Sequence, residues 1–264
     1  MRVLKVLFVL LLPVMFVACS DDDSGFISRP DGKDSSPSVT PKSSDSKTSV
    51  PTGTMTDSRD GQTYRTVKIG TQTWMAENLN YAYTGVPYNH SGNTLDSTSW
   101  YYDNDASYST KYGRLYTWAA AMDSVGTWST NGKGCGYSVI GMTCSPDYLV
   151  RGVCPEGWHL PDSTEWNTLI TTVGGSSTAG KVLKSTSGWN SSGNGTDAFG
   201  FSALPAGFRD IFDYYREGDV VRFWSSTEYD GYSAFFMDLY YDLDNAGLTH
   251  NGKYEGLSVR CLKD

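Results

Sequence analysis

The sequence predicts an α+β domain carried on a polar stalk, with short central helices and antiparallel strands towards its C-terminal end. Three observations lead there. β-rich runs bounded by Gly occur on both sides of the chain's middle, while one well-marked helix start, at Asp162, stands between them. The 28 Gly call for many turns, and an aromatic content of 14% excludes disorder of the chain as a whole. Residues 20–55 have a different composition, rich in Ser, Pro, Asp, Thr and Lys, with Phe26, Ile27, Val39 and Val50 nearly their only large apolar groups.

The N-terminal segment reads as a leader. Met1-Arg2-Val3-Leu4-Lys5 is basic, Val6 to Val17 is apolar, and Ala18-Cys19 closes the run. Such a run is too short to cross about 30 Å of hydrocarbon, and Pro13 interrupts it. The expectation is a signal peptide over 1–18 whose removal leaves Cys19 at the new N-terminus. Phe16-Val17-Ala18-Cys19 resembles a bacterial lipobox, with Phe16 where Leu is usual. That resemblance implies lipidation of Cys19 and anchoring to a membrane outside the cytoplasm, with several acyl chains holding the protein stably. Ser20-Asp21-Asp22-Asp23 is similar to signals that carry lipoproteins to the outer membrane and the cell surface; a solvated acidic spacer is the alternative. Residues 19–55 then form a lipid-anchored flexible linker, because they cannot bury a core.

From 56 to 264 one domain is expected. Thr63 to Ile69 and Gln72 to Ala76 flank Gly70-Thr71 and predict a hairpin. Tyr112 to Met122 predicts a short helix with Leu115, Trp118, Ala119 and Met122 on one face. Pro161 precedes Asp162, and Asp162 with Glu165 makes an Asp form of the capping box. Trp166, Leu169, Ile170 and Val173 follow at helical spacing, and Gly174-Gly175 ends the helix. A second short helix carries Ala179, Val182 and Leu183 inward. Strands are expected at Phe199 to Leu204, Val220 to Ser225, Ser233 to Tyr240 and Gly256 to Leu262. In the last, Leu257, Val259 and Cys261 alternate with Ser258 and Arg260, as in a half-buried strand.

Charge and cysteine usage narrow the function classes. The formal charge is −8, and removing the leader with Arg2 and Lys5 takes it to −10. Nucleic acid and anionic lipid headgroups both require basic patches, so neither is expected as the main partner. With Cys19 committed to lipid, Cys135, Cys144, Cys154 and Cys261 are an even set in an exported chain, for which three pairings exist. Cys135 with Cys144 and Cys154 with Cys261 is the favoured pairing. It closes a short Gly-rich loop and ties mid-chain to the last strand. A zinc site is disfavoured, since C-x-x-C is absent and His90, His159 and His250 are scattered.

Four blocks carry a family resemblance. They are Val67-Lys68-Ile69-Gly70 through Trp74-Met75-Ala76-Glu77-Asn78-Leu79; Tyr112-Gly113-Arg114-Leu115-Tyr116-Thr117-Trp118; Cys154-Pro155-Glu156-Gly157-Trp158-His159-Leu160-Pro161 with Glu165-Trp166; and Phe201-Ser202-Ala203-Leu204-Pro205-Ala206-Gly207 through Phe223-Trp224-Ser225-Ser226 to Ser258-Val259-Arg260-Cys261. In order and spacing the chain resembles the Fibrobacter succinogenes major paralogous domain family, over nearly everything after the stalk. That family implies no established activity. Leu160-Pro161 with Glu165-Trp166, the late Trp strand and the closing Gly-x-x-Val-Arg strand are similar to formylglycine-generating enzymes and C-type lectin-like domains. This implies a C-type lectin-like fold, which hosts enzymes and binders alike.

Three site classes were weighed against the residues. The oxidase relatives imply a pair of active-site Cys near the C-terminal end, where only Cys261 lies. No hydrolase or phosphate-loop motif occurs, so no catalytic residue is assigned. His159 reads as a packed loop residue, and Glu165 as a cap. Calcium-dependent sugar binding lacks its motifs, because Trp189-Asn190 is followed by Ser191. The oxygen-rich clusters Asp57 with Asp60, Asp103-Asn104-Asp105, and Asp242 with Asp244-Asn245 read as turns. No metal and no cofactor are therefore assigned. Aromatic stacking is the third class: Trp100, Tyr102, Trp189, Tyr214 and Tyr215 are expected to form a surface patch for a glycan. About half of such rings should be buried by strand alternation. The reading is a non-catalytic recognition domain for a polysaccharide or another envelope or host partner. The alternatives are an enzyme on a formylglycine-generating-enzyme-like scaffold, which needs a cleft with a nucleophile, base or metal, and a structural envelope protein, which needs a self-complementary patch.

Overall fold

A computed structural model describes residues 51–83, 98–137 and 140–264; the leader, Cys19 and nearly all of the stalk lie outside the described residues. Strand β1 (Thr52–Thr56) opens the domain. It pairs antiparallel with β2 (Thr63–Ile69), Thr52 facing Val67 and Thr56 facing Thr63. The sequence reading places residues 52–55 in the linker; they are instead an edge strand. Only Met55 among them is apolar, so an edge strand that leaves both faces largely wet has no hydrophobic alternation to betray it.

The expected hairpin is present. β3 (Gln72–Met75) returns along β2 with Ile69 opposite Gln72, and Gly70 takes φ 60° in the two-residue turn. β4 (Ser99–Trp100) follows, then helix α1 (Ser109–Tyr112), strand β5 (Leu115–Tyr116) and helix α2 (Trp118–Ala121). The single helix expected over 112–122 is therefore split. Gly113 adopts φ 68° and ψ −149°, which only Gly reaches without strain, and Leu115-Tyr116 pair as a strand. Leu115, Trp118, Ala119 and Met122 are nonetheless all buried, as their spacing foretold.

After β6 (Trp158–His159) come α3 (Ser163–Thr172) and α4 (Ser176–Leu183). α3 starts with the full capping box: the Glu165 amide donates to Asp162 Oδ1 at 2.8 Å, and the Asp162 amide to Glu165 Oε2 at 2.9 Å. Its Trp166 lies 4.6 Å from Trp74 and 5.8 Å from Phe223 between ring centroids. The chain ends with β7 (Phe208–Arg209), β8 (Tyr214–Tyr215), β9 (Val220–Glu228), β10 (Ser233–Tyr240), β11 (Gly247–Gly252), β12 (Leu257–Ser258) and β13 (Leu262–Lys263). β9 and β10 are two of the expected strands, and they form a meander with β11, which the sequence reading did not include.

Two mixed-length sheets result, with strand orders β1-β2-β3-β13-β6 and β11-β10-β9-β12-β5-β4, and β7 with β8 stands apart as a two-stranded hairpin. Among the described residues every pairing between two of these strands is antiparallel except β12 with β9; the isolated bridges Lys184 with Ala203 and Gly207 with Val221 are parallel. The domain is thus α+β, mostly antiparallel, with few short helices.

Two further expectations are corrected. Phe199 to Leu204 is not a strand; it makes only an isolated bridge, Lys184 with Ala203, because Ser202 sits at φ 54°. Gly256 to Leu262 is not one alternating strand. It leaves one sheet after β12 and enters the other at β13, and both of its faces are covered: Ser258 and Arg260 are as buried as Leu257, Val259 and Cys261. Cys261 bonds Cys154, and Cys135 bonds Cys144, the pairing favoured from sequence. The first ties a stretch 107 residues apart, which a chain-entropy argument values at roughly 4–5 kcal/mol. Among the described residues no helix is long and apolar enough to cross a membrane.

Candidate functional site

The hairpin of β7 and β8 faces the turn that follows β4, and the two meet through rings. The turn is built from residues that tolerate left-handed backbone, with Asp103 at φ 53° and Asn104 at φ 56°. The Asp105 carboxylate accepts from the Ser107 amide at 2.8 Å. On the hairpin, Asp210 Oδ1 accepts from the amides of Phe212 and Asp213 at 2.6 and 3.1 Å and fixes the loop. Gly207, at φ 67°, lets the pieces close up: a Cβ there would lie 2.5 Å from the Tyr215 carbonyl and 2.8 Å from the Tyr102 ring.

Four tyrosines then run as a ladder. Tyr214 lies 5.4 Å from Tyr102, Tyr102 lies 5.5 Å from Tyr108, and Tyr108 stacks on Tyr112 at 5.9 Å. The ladder passes from the half-buried Tyr214 and Tyr102 to Tyr112 in the interior. Polar tips are anchored: Tyr214 Oη donates to Asn104 Oδ1 at 2.8 Å, and Tyr112 Oη donates to Glu217 Oε1. Burial first, then the Glu217 hydrogen bond and charge, hold the Tyr112 hydroxyl protonated far above its ordinary value. Beside the ladder, the exposed Tyr215 stacks on Phe208 at 5.8 Å, and Phe212 at the hairpin tip is 81% exposed.

Two of the five rings expected in a surface patch are thus brought together, Tyr102 and Tyr214; Tyr215, the next residue on β8, is exposed, but its ring stacks on Phe208. Trp100 and Trp189 are corrections, since both are buried. Trp100 lies beneath the Arg209 guanidinium, 4.3 Å from its ring centre, and packs the base of the patch. Trp189 donates from Nε1 to Ser185 Oγ and the Ala203 carbonyl, both at 3.1 Å, and is a core anchor. Sequence reasoning missed Tyr108 and Phe212. A Phe between two Asp in a hairpin loop was the available signal for the second.

α1 joins the ladder to a cleft of about 320 Å³, whose lining includes Asn78, Lys111, Gly113, Ser202 and Arg260. Gly113 is required there: a Cβ would lie 2.7 Å from the Leu79 carbonyl. Arg260 is 1% exposed. Its Nε donates to Asn78 Oδ1 at 2.9 Å, Nη1 to the Phe201 carbonyl and, at 3.5 Å, to that of Met75, and Nη2 to the Ser202 carbonyl at 3.0 Å. Burial without a bonded carboxylate pulls its pKa down to about 9. Ser202 is held in its left-handed conformation by Asp197, whose carboxylate accepts from the Ser202 amide at 2.7 Å and hydroxyl at 2.6 Å.

His159, read as a packed loop residue, is buried and doubly engaged. Nδ1 meets Asp264 Oδ1 at 2.7 Å and Nε2 meets Glu165 Oε1 at 2.9 Å. Burial alone lowers its pKa, but the two carboxylates outweigh it and the net shift is upward. With both ring nitrogens occupied, the imidazole has no lone pair to offer a substrate. Asp57, read as part of a solvated turn, is instead fully buried and clamps Arg59, whose Nη2 lies 2.7 Å from Oδ2. Among the described residues no group of three or more His, Cys, Asp or Glu is placed to hold a metal ion.

The comparison with known families decides the relationship. The model of the Fibrobacter succinogenes major domain matches residues 67–263. The chain belongs to that family. No curated protein and no solved structure matches it. Asn78, Gly113, Ser202 and Arg260 all fall inside the part matched to the Fibrobacter succinogenes major domain, as do the ladder and both disulfides. The match begins inside β2, so β1 lies outside the matched residues.

Proposed function

We propose that this protein is a non-catalytic recognition module, anchored through lipidated Cys19 at the outer membrane and facing outward, that binds polysaccharide along the tyrosine ladder. The observation that carries the reading is the meeting of Tyr102 and Tyr214 from segments over a hundred residues apart, with the exposed Tyr215 next along β8, near a polar cleft. Tyrosine faces match the C–H faces of sugar rings, and their hydroxyls match sugar hydroxyls. The C-type lectin-like scaffold belongs to the same proposal, supported by the capped helix after Leu160-Pro161 and by two sheets joined at the chain's end.

Pull-down of the full chain on insoluble polysaccharides tests it. Binding should fall at least tenfold in Tyr214→Ala and Tyr215→Ala while Trp189→Phe, whose ring is buried and makes none of the ladder's ring contacts, retains it. Equal retention in all variants would remove the ladder from recognition. Fractionation tests the anchor separately: Cys19→Ala should move the protein from the membrane to the soluble fraction.

A further inference from the structure

The cleft floored by Arg260 has a charge arrangement that the ladder alone does not explain. Two cations stand at its rim, and each has a carboxylate partner: Arg65 Nε lies 3.1 Å from Glu77 Oε1, and Lys111 Nζ lies 3.3 Å from Glu217 Oε1. Arg260 differs. Every bond it makes goes to an amide or backbone carbonyl oxygen, and one Nη2 hydrogen is left without an acceptor among the described residues. The nearby Asp197 carboxylate is bonded to Ser202 instead. One positive charge therefore faces the cleft without a bonded counter-charge, in low-dielectric surroundings that focus its field into the opening. This occurs in a chain of net charge −8, where an excess cation is the exception.

Amide and hydroxyl groups from Gln62, Asn80, Ser109 and Thr110 also line it, with Ala76 and Leu204 as an apolar part. Such groups exchange hydrogen bonds with sugar hydroxyls. The volume, about 320 Å³, is at the small end of small-molecule sites, which run from roughly 300 to 1,000 Å³. Ser202 holds a left-handed backbone at the cleft wall, and strain of that kind persists only where surrounding bonds over-determine it. Glu77 and Glu217 at the rim disfavour a dianion more than a monoanion.

We infer that the cleft is a subsite for the carboxylate of a sugar acid, a uronate unit of an acidic polysaccharide, lying above Arg260 between Arg65 and Lys111. This rests on the polysaccharide reading above and names the class of polymer. α1 and its N-cap connect the two surfaces, with Lys111 in the cleft and the half-buried Tyr108 in the ladder, so one chain of sugars can touch both.

The test titrates the full chain with D-galacturonate, D-galactose and inorganic phosphate, read by calorimetry. Galacturonate should bind at least tenfold more tightly than galactose. Binding should weaken about tenfold in the double variant Arg65→Gln/Lys111→Gln, and weaken as salt is raised. Both substituted side chains are exposed, so the variant keeps its fold, which circular dichroism checks. Equal binding of galactose, or phosphate bound as tightly as galacturonate, would overturn the assignment. Absence of galacturonate binding while polysaccharide pull-down persists would overturn the subsite alone. Absence of both would overturn the recognition reading with it.

Discussion

The crossing segment 257–263 and the β7–β8 hairpin with its facing turn hold their polar groups in opposite ways. In the crossing segment, Ser258 and Arg260 are fully enclosed, and the segment is answered by distant parts of the chain: Arg260 by Asn78, Phe201 and Ser202, and Cys261 by Cys154. In the hairpin and turn they are answered locally, Asp210 by Phe212 and Asp213, and Asp105 by Ser107. The first region cannot change without exposing unpaired groups in two sheets. The second can lose a ring and keep its backbone. A rigid floor and a replaceable rim suit recognition, since the ligand contacts can vary while the frame stays constant.

The sharpest way to break that comparison is to cut the frame. Cys154→Ala with Cys261→Ala should cost roughly 4–5 kcal/mol, measured by urea unfolding, because the loop it releases is long. A loss below 1 kcal/mol would mean that packing alone holds the crossing segment.

Next comes the buried pair under the hairpin. Arg222 Nη1 lies 3.0 Å from Glu255 Oε2, and the Arg222 guanidinium lies 4.0 Å from the Phe208 ring centre. Burial outweighs Arg222 and raises the Glu255 pKa to about 7. A carboxyl raised in the folded state holds a proton that the unfolded chain has lost. Stability should therefore fall as pH rises from the usual carboxylate value of about 4.5 towards 7, by roughly 1–3 kcal/mol. Glu255→Gln should flatten that stretch of the melting-temperature profile. An unchanged slope would assign it to other groups.

Smaller still is the cap of α3. Asp162→Ala removes one half of the capping box and should cost about 1 kcal/mol. Thermal unfolding reads it, and Asp162→Asn should recover most of the loss. Last is the rim: Tyr215→Ala should change stability by less than about 0.5 kcal/mol, as surface substitutions do, while lowering polysaccharide binding at least tenfold. A large stability loss from Tyr215→Ala would erase the distinction between floor and rim.

Legibility followed the same division. The hairpin around Gly70, the capped helix α3 and the strands β9 and β10 were readable because their signals are local: turn residue, cap spacing and β-rich runs bounded by turn residues. The split at Gly113 was not. Leu115, Trp118, Ala119 and Met122 fit a helix as well as they fit a strand and a short helix that are both buried. Arg260 was read as the solvent face of a strand, because alternation assumes that one face is wet. It fails where a chain passes between two sheets. The site was half legible: Tyr102 and Tyr214 meet and Tyr215 is exposed beside Phe208, whereas Trp100 lies under Arg209 and Trp189 under its own neighbourhood of Lys184 and Ser185.

The sequence by itself determined the cap at Asp162, the α+β class and the family, each written in neighbouring residues, and it favoured one of three cysteine pairings that the structure then settled. Only the tertiary structure decided which rings face outward and which cation lies beneath a cleft. Exposure depends on what a remote segment lays across a side chain, and no local pattern records that.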